Sequence, residues 1–595
     1  MSKKLWSMST TVRNPYRIRD FLTVLSALDG QRWDKAAQVR FQILLIQNRI
    51  YVPEDNNLSE EQRALLNDPE ISLTYQQAED IFNAKQYEDP PMRGRNSYKP
   101  IEKAGLCFII DKKVHITALG WRLINGEIEI EDFYFRSMIQ WQYPNPRSKD
   151  FSAEDGYNTK PFISTLLLIQ RVNQLCREEG LKEKGISKDE FGIFALSLIN
   201  YQDIDKTAKA LLQYRIQKEK FKDYQERTAF QREFASEYLK DYVNYSESNL
   251  KDYTDNAIRY FRITRYVYVR GGGYYVDLEP RRQIELNKLF EQENGSVKLF
   301  ESDKDFIDFM CDPSTYDLPW ENTVELRLIA QQIVTEISSL EQSLQLSHTE
   351  RSLGNTKQEL EKQIIELRQI RSDLQFQLSK RELADIPRIE EVIYKLENIS
   401  HLPEKPSIAL EKYAAIALNI INDAIRIQNN APLGDDNDLL FTAAANVPDI
   451  EYEYQLFRGI CEVTMLTGRN QWYAEGQPVM RHLRDYENRF SDKPSYCLFI
   501  SPKLHQDTAN TFWIASKYEY EGQRQRIIPL SISQLLEILK MIVFLKQKGK
   551  RFEHRTLLTL YDAIVNTQSA SDSKHWIDSI STSIDSWIES IKSAA

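Results

Sequence analysis

PDIEYEYQLFRGICEVT, residues Pro448 to Thr464, is the stretch on which the fold turns. DIEYEYQLF and RGICEVTML are rich in aromatic and β-branched residues and divide near Arg458 and Gly459, so they read as adjacent strands of one sheet. Asp449 opens the first run and Glu462 lies inside the second, thirteen positions later, where strands ordinarily place apolar residues. If the two strands pair as a hairpin, both carboxylates face one divalent ion from neighbouring backbones. Hard oxygen donors of this kind suit Mg²⁺, which keeps several waters and leaves room for a phosphate oxygen.

Such an ion would neutralise the charge that develops during phosphodiester hydrolysis and lower the pKa of an attacking water. This is the arrangement of PD-(D/E)xK nucleases, with one departure: the position that commonly carries lysine holds Thr464. A hydroxyl supplies no positive charge. Orienting or deprotonating the water must then fall to another group, and Glu475, again thirteen residues on, is the candidate. His482 and Arg481 follow on a predicted helix within reach of phosphate or water, and Glu411 sits on an amphipathic helix upstream. The continuation supports a nuclease core. A helix precedes Asp449, YCLFISPKL gives a third strand, and RIIPLSISQLLEILK gives a strand leading into a helix, an α-β-β-β-α-β order.

Working outward, HLPEKP breaks the chain before this C-terminal domain, expected over residues 401–595. Before it, residues 301–400 read as a helical linker domain of two long packed helices. Leu360, Ile364, Leu367, Leu374 and Leu378 fit a four-three spacing that Arg371 interrupts, which favours a spacer over a dimerising coiled coil. Residues 1–160 and 161–300 read as two DNA-recognition subdomains, each with a helix followed by a twisted hairpin, the pattern of a winged helix-turn-helix. GLCFIIDKKVHITALGWRLI gives a strand to Ile110, a turn over Asp111 to Lys113, a strand to Thr117 and a helix from Ala118. RYVYVRGGGYYVDLEPRRQIELNKLF repeats the plan, with Gly271 to Gly273 at the tip. The basic helical stretches before them place Arg93, Arg95 and Lys99 on one recognition surface and Arg259, Arg262, Arg265 and Arg270 on the other. The fold class expected is therefore multidomain α+β, with winged-helix-like units, a helical linker and a PD-(D/E)xK-type α/β nuclease core.

The 595 residues are 42% hydrophobic and 28% charged, a globular mix with room for several cores. A formal charge of −10 excludes a uniformly basic nucleic-acid coat but not a basic face on one domain. Five scattered cysteines with no C-x-x-C pair read as reduced core residues rather than zinc ligands. With no apolar run of bilayer length and no secretory h-region, a cytoplasmic protein without a membrane partner is expected.

The chain resembles the AlwI-type family of type IIS restriction and site-specific nicking endonucleases over nearly its whole length. The likeness rests on TTVRNPYRI, the GLCFIIDKKVHITALGWRLI unit, WQYPNP at Trp141 to Pro146, RYFRITRYVYVRG and, most specifically, PDIEY, EVT, EGQPVMRHL, YCLFISP and RIIPLS. It implies an Mg²⁺-dependent deoxyribonuclease that binds a short asymmetric site in double-stranded DNA through its N-terminal half and cuts a few bases away with its C-terminal domain. It implies Asp449, Glu462 and Glu475 as metal-binding carboxylates, Glu411 as an accessory acid and His482 as an active-site neighbour. One such site cuts one strand, so double-strand cleavage would need a transient homodimer or a small catalytic subunit. The rival readings are a non-catalytic winged-helix regulator, a structural or assembly protein built on the linker helices, and a repair-type nuclease.

Overall fold

Asp111 and Lys112, both at positive φ (49° and 62°), form the two-residue tip that closes the first hairpin. Strands β1 (Cys107–Ile110) and β2 (Lys113–Ile116) pair antiparallel with Ile110 opposite Lys113. Thr117 then caps helix Ala118–Ile124, its hydroxyl accepting from the Gly120 N–H at 3.0 Å. Strand, turn, strand and helix stand where the sequence put them. The computed structural model describes residues 3–594 except 9–10, 55, 69–70, 149, 222, 272–273, 312–317, 383–384, 403–404, 422, 431–442, 444–446 and 567–569.

The chain is a mixed α+β protein that divides into two compact units: Met1–Lys220 with Ala229–Val269 and Tyr275–Glu325, and Phe221–Thr228 with Arg270–Tyr274 and Leu326–Ala595. In the first, the helix before each hairpin is present. Pro90–Lys103 is capped by Asp89 and starts with proline, and Glu247–Ile263 is capped by Ser246. The second hairpin, β4 (Val267–Arg270) and β5 (Tyr275–Leu278), gains a strand that the sequence reading did not foresee, β3 (Ile186–Ser187), in the order β3-β5-β4. At two residues β3 is too short to carry a pattern. Gly272 and Gly273 of the expected tip lie outside the described residues.

Among the described residues of 301–400, helix Asp303–Cys311 is followed by three more, Thr323–Ser343, Lys357–Glu382 and Ile386–Glu397, where two long ones were expected. Pro387, tolerated only in a first turn, starts the last of these. Leu360, Ile364, Leu367 and Leu374 are buried, and Leu378 half-buried. Arg371, the misfit in that seam, is also buried, its guanidinium 2.5 Å from Glu336 on helix Thr323–Ser343. An ion pair between helices thus fills the position where the apolar spacing lapses.

Among the described residues the C-terminal sheet has five strands in the order β10-β9-β8-β7-β6: β6 (Arg426–Asn429), β7 (Ile450–Glu453), β8 (Arg458–Val463), β9 (Ser495–Ser501) and β10 (Ile527–Ser531). β6, β7 and β8 pair antiparallel, while β8, β9 and β10 run parallel. Helix Pro406–Ile420 precedes β6, and helix Gln477–Arg489 joins β8 to β9. The same α-β-β-β-α-β string recurs with its members shifted: β6 is the first strand, and YCLFIS, expected as the third, is the fourth. RIQN was not read as a strand, because its polar residues carry little strand signal. Every residue of β9 is buried, as expected of a strand with parallel partners and covered faces. Gly459 allows the sheet to close here: a Cβ on it would stand 2.1 Å from the Tyr496 carbonyl and 2.5 Å from the Tyr452 hydroxyl. Tyr452, Tyr454, Phe457, Ile460, Leu498 and Ile528 share one core with Leu539 and Trp576 of the helices that follow.

Candidate active site

The spacing of thirteen follows from register. β7 and β8 pair Ile450 with Cys461, Glu451 with Ile460 and Tyr452 with Gly459. One further step sets Asp449, at the bend entering β7, across from Glu462 on the same face. The Val463 N–H donates to Asp449 Oδ2 at 2.8 Å and fixes that carboxylate at the hairpin's end. Cys461, pointing to the opposite face, is core.

Two helices packed against β8 bring the rest. Glu411 lies on helix Pro406–Ile420 and is almost wholly buried; its Oε2 accepts from the Ala443 N–H at 3.3 Å, while among the described residues its buried Oε1 meets no hydrogen-bond partner. Glu475 lies in the π-helical turn Trp472–Gly476 that leads into helix Gln477–Arg489. His482, one turn and a half along that helix, sets Nδ1 2.8 Å from Glu462 Oε1, and its buried Nε2 has no partner among the described residues. The five residues singled out from sequence for chemistry are thus brought together.

Their electrostatics are those of anions without a counterion. Burial first, then the Glu462 charge, pushes Asp449 up to about 8, against the pull of the Val463 N–H. Burial and then Asp449 push Glu411 up to about 8 as well. Glu462 is driven well above the carboxylate range by burial and by Glu475. Glu475 is raised by burial, opposed by a hydrogen bond from the Thr464 side chain and by His482. Burial and Arg481 lower His482, outweighing Asp449, Asp485 and Glu475. Among the described residues no group of three or more His, Cys, Asp or Glu side chains is arranged to hold a metal ion as it stands. Like charges at this burial relax apart unless a proton or a cation joins them. The donor set, all hard oxygen plus one imidazole with an orphaned Glu411 oxygen among them, fits a divalent cation.

Thr464 was recognised in sequence only as a missing lysine. Its buried hydroxyl accepts from the Leu466 N–H at 3.1 Å and meets the Glu475 carboxylate. The signal for this role lies in the fold, since nothing local says where residue 475 returns.

The basic residues singled out from sequence are placed differently. Arg95 pairs with Asp89 at 2.7 Å and donates to Gln38; Lys99 pairs with Glu102 at 2.6 Å. Arg259 pairs with Asp255 at 2.9 Å, and Arg265 with Glu131 at 2.6 Å. Arg93 lies over the Tyr87 ring, 4.4 Å from its centroid. Arg262 ends helix Glu247–Ile263 and Arg270 ends β4; both are partly buried. They stand on the two helix-hairpin elements as expected, most of them already engaged within the chain.

A model of the AlwI restriction endonuclease family matches residues 104–538. No curated protein matches the chain. Among solved structures, the small subunit (R.BspD6I2) of the heterodimeric restriction endonuclease R.BspD6I is 20% identical, the match covering 32% of this chain and 98% of that one with a TM-score of 0.29. The BpuJ1 endonuclease binding domain, solved with pyrene- and phenanthrene-modified DNA, is 12% identical over 52% of this chain and 98% of that one, with a TM-score of 0.32. Likenesses this weak carry no argument. The family match spans well over half of the chain, and the chain belongs to the AlwI restriction endonuclease family.

Proposed function

We propose that this AlwI-family type II restriction endonuclease is a type IIS enzyme that cuts through the carboxylate cluster of its C-terminal sheet, using Mg²⁺. The observation that carries this reading is the convergence itself. Four carboxyl groups from positions 411, 449, 462 and 475 are buried together, and each is raised by that burial. No structural role explains a buried cluster of one sign, and desolvated carboxyls with a shared perturbation mark functional sites.

In this proposal Asp449, Glu462 and Glu475 would hold the ion, and Glu411 would serve as an accessory acid. Mg²⁺ when bound would supply charge neutralisation at the phosphate and a more acidic water. The chain's own residues do the rest. Glu475, steadied by Thr464, orients the attacking water. With Glu462 ionised, His482 donates its Nδ1–H to that carboxylate, which leaves the Nε2 lone pair able to accept a proton or hold a water. Helices packed over the sheet keep bulk solvent from the carboxyls.

We extend the reading to a PD-(D/E)xK-type core over 401–595, a helical linker over 301–400, and winged-helix-like recognition subdomains over 1–160 and 161–300. Arg93, Arg95, Lys99, Arg259, Arg262, Arg265 and Arg270 would contact phosphate. Exposed ion pairs are worth at most about 1 kcal/mol, so a phosphate oxygen can displace Asp89 or Asp255. A single cluster per chain nicks one strand; a second copy or a small subunit would complete a double-strand break.

The test is to incubate the chain with a random-insert plasmid library with and without Mg²⁺ and map every new end. Discrete ends at a fixed offset from one asymmetric motif, in Mg²⁺ alone, are expected. Scattered or structure-dependent ends, or none, would refute the assignment.

A further inference from the structure

Beside the carboxylates, the loop from Leu466 to Tyr473 is built as a rigid crest. Gly468 adopts φ 66° and ψ −159°, a conformation open essentially to glycine alone. Gln471, fully buried, clamps the loop: its Nε2 donates to the Leu466 carbonyl at 2.9 Å and to the Lys503 carbonyl at 3.0 Å, and its Oε1 accepts from the His505 N–H at 2.8 Å. One amide side chain thereby joins this loop to the loop that follows β9. Trp472 is pinned by its indole N–H to Thr511 at 3.0 Å, and Tyr473 packs against it with ring centroids 4.9 Å apart.

The clamp leaves Tyr473, Arg469 and Lys503 facing solvent. Tyr473 is 70% exposed, two residues before Glu475 in the same π-helical turn. Arg469 and Lys503 are exposed, and among the described residues neither has an acidic partner. That sets them apart from Arg95, Lys99, Arg259 and Arg265, each held by a carboxylate. Cations carried on a clamped backbone, with aromatic faces beside the carboxylates, have the chemistry that takes phosphate oxygens and base or sugar faces. We propose that the crest formed by Arg469, Trp472, Tyr473 and Lys503 grips duplex DNA beside the scissile phosphate, positioning it for Glu475. The proposal rests on reading the carboxylate cluster as the cutting site.

The test uses the full chain and a supercoiled plasmid, with wild type and Glu462→Gln alongside. Wild type must cut in Mg²⁺ and Glu462→Gln must not; a wild-type chain that leaves the plasmid intact removes the parent reading and this one with it. Given cutting, Arg469→Ala/Lys503→Ala is expected to slow single-turnover cleavage by about tenfold at 0.1 M salt. It should also flatten the dependence of log rate on log salt by about two, one for each lost phosphate contact. Metal-free binding should stay within twofold, and Arg469→Lys/Lys503→Arg should restore the rate. Tyr473→Ala should relieve the quenching of a 2-aminopurine placed next to the mapped cut. Unchanged rate and salt slope would overturn the proposal, as would cleavage and metal-free binding falling by the same factor.

Discussion

Two buried acids, one in each unit, show how opposite chemistry follows from similar burial. Glu190 in the first unit is as hidden as Glu462 in the second. Burial raises both, but Arg215 reverses the outcome for Glu190: its Nε and Nη2 reach the two carboxylate oxygens at 2.8 and 2.6 Å, and its charge holds the carboxyl below the usual range. Arg215 also donates to the Gly185 carbonyl and is itself raised. That pair is complete. Glu462 faces other carboxyls and an imidazole, and is driven upward. A satisfied buried charge holds a fold together, whereas an unsatisfied cluster of one sign waits for something from outside.

The comparison breaks most decisively on activity. Glu462→Gln should abolish plasmid cleavage, by roughly 10³-fold or more, the scale of a lost charge-stabilising group. Metal-free melting should not fall, because neutralising one member relieves repulsion. If melting dropped as cutting persisted, Glu462 would be structural. The reverse pattern is expected at the satisfied pair. Arg215→Met strands a buried carboxylate and should cost about 3–5 kcal/mol in denaturant unfolding of the first unit. Glu190→Gln/Arg215→Met should recover much of that loss.

Acidity sharpens the contrast further. A carboxyl whose folded pKa is raised contributes stability below its unfolded value and loses it as pH climbs through the folded one. Asp449 and Glu411, at about 8, should therefore lower the metal-free melting temperature of the second unit between pH 5 and 9, by a free energy on the order of a few kcal/mol. Mg²⁺ should oppose that loss, raising melting more at pH 8 than at pH 6 in a fluorimetric scan. Glu190, with its lowered value, works in the other sense: its contribution is present above the unfolded pKa and disappears as acid protonates it. The smallest effect belongs to the exposed pairs. Arg95→Ala should change stability by less than about 1 kcal/mol yet weaken DNA binding and reduce its salt slope by about one.

Much of the site was legible because its spacing is a property of an antiparallel hairpin. Asp449 and Glu462 face each other for any turn that keeps Ile450 opposite Cys461, and aromatic alternation reports that register locally. Both helix-hairpin units were legible for the same reason, down to the Thr117 cap. β6 and β3 were not, being short and polar or short and isolated. The linker was read as two helices because helical composition runs across Pro387, which can begin a helix as well as end one. Of the basic residues, Arg95, Lys99 and Arg259 meet carboxylates within six positions along the chain, whereas Glu131, the partner of Arg265, comes from 134 positions away and carries no local signal.

From sequence alone came the two helix-hairpin units, the acids at thirteen-residue intervals and the family, since all three depend on neighbours along the chain. Tertiary structure decided that Thr464 braces Glu475 and that His482 sets its Nδ1 2.8 Å from Glu462. It also decided that, among the described residues, Arg469 and Lys503 are left without an acidic partner while Arg95, Arg259 and Arg265 each meet a carboxylate. Charge interactions depend on distance through space and on how much water remains between the groups, and neither is fixed until the helices have packed onto the sheet.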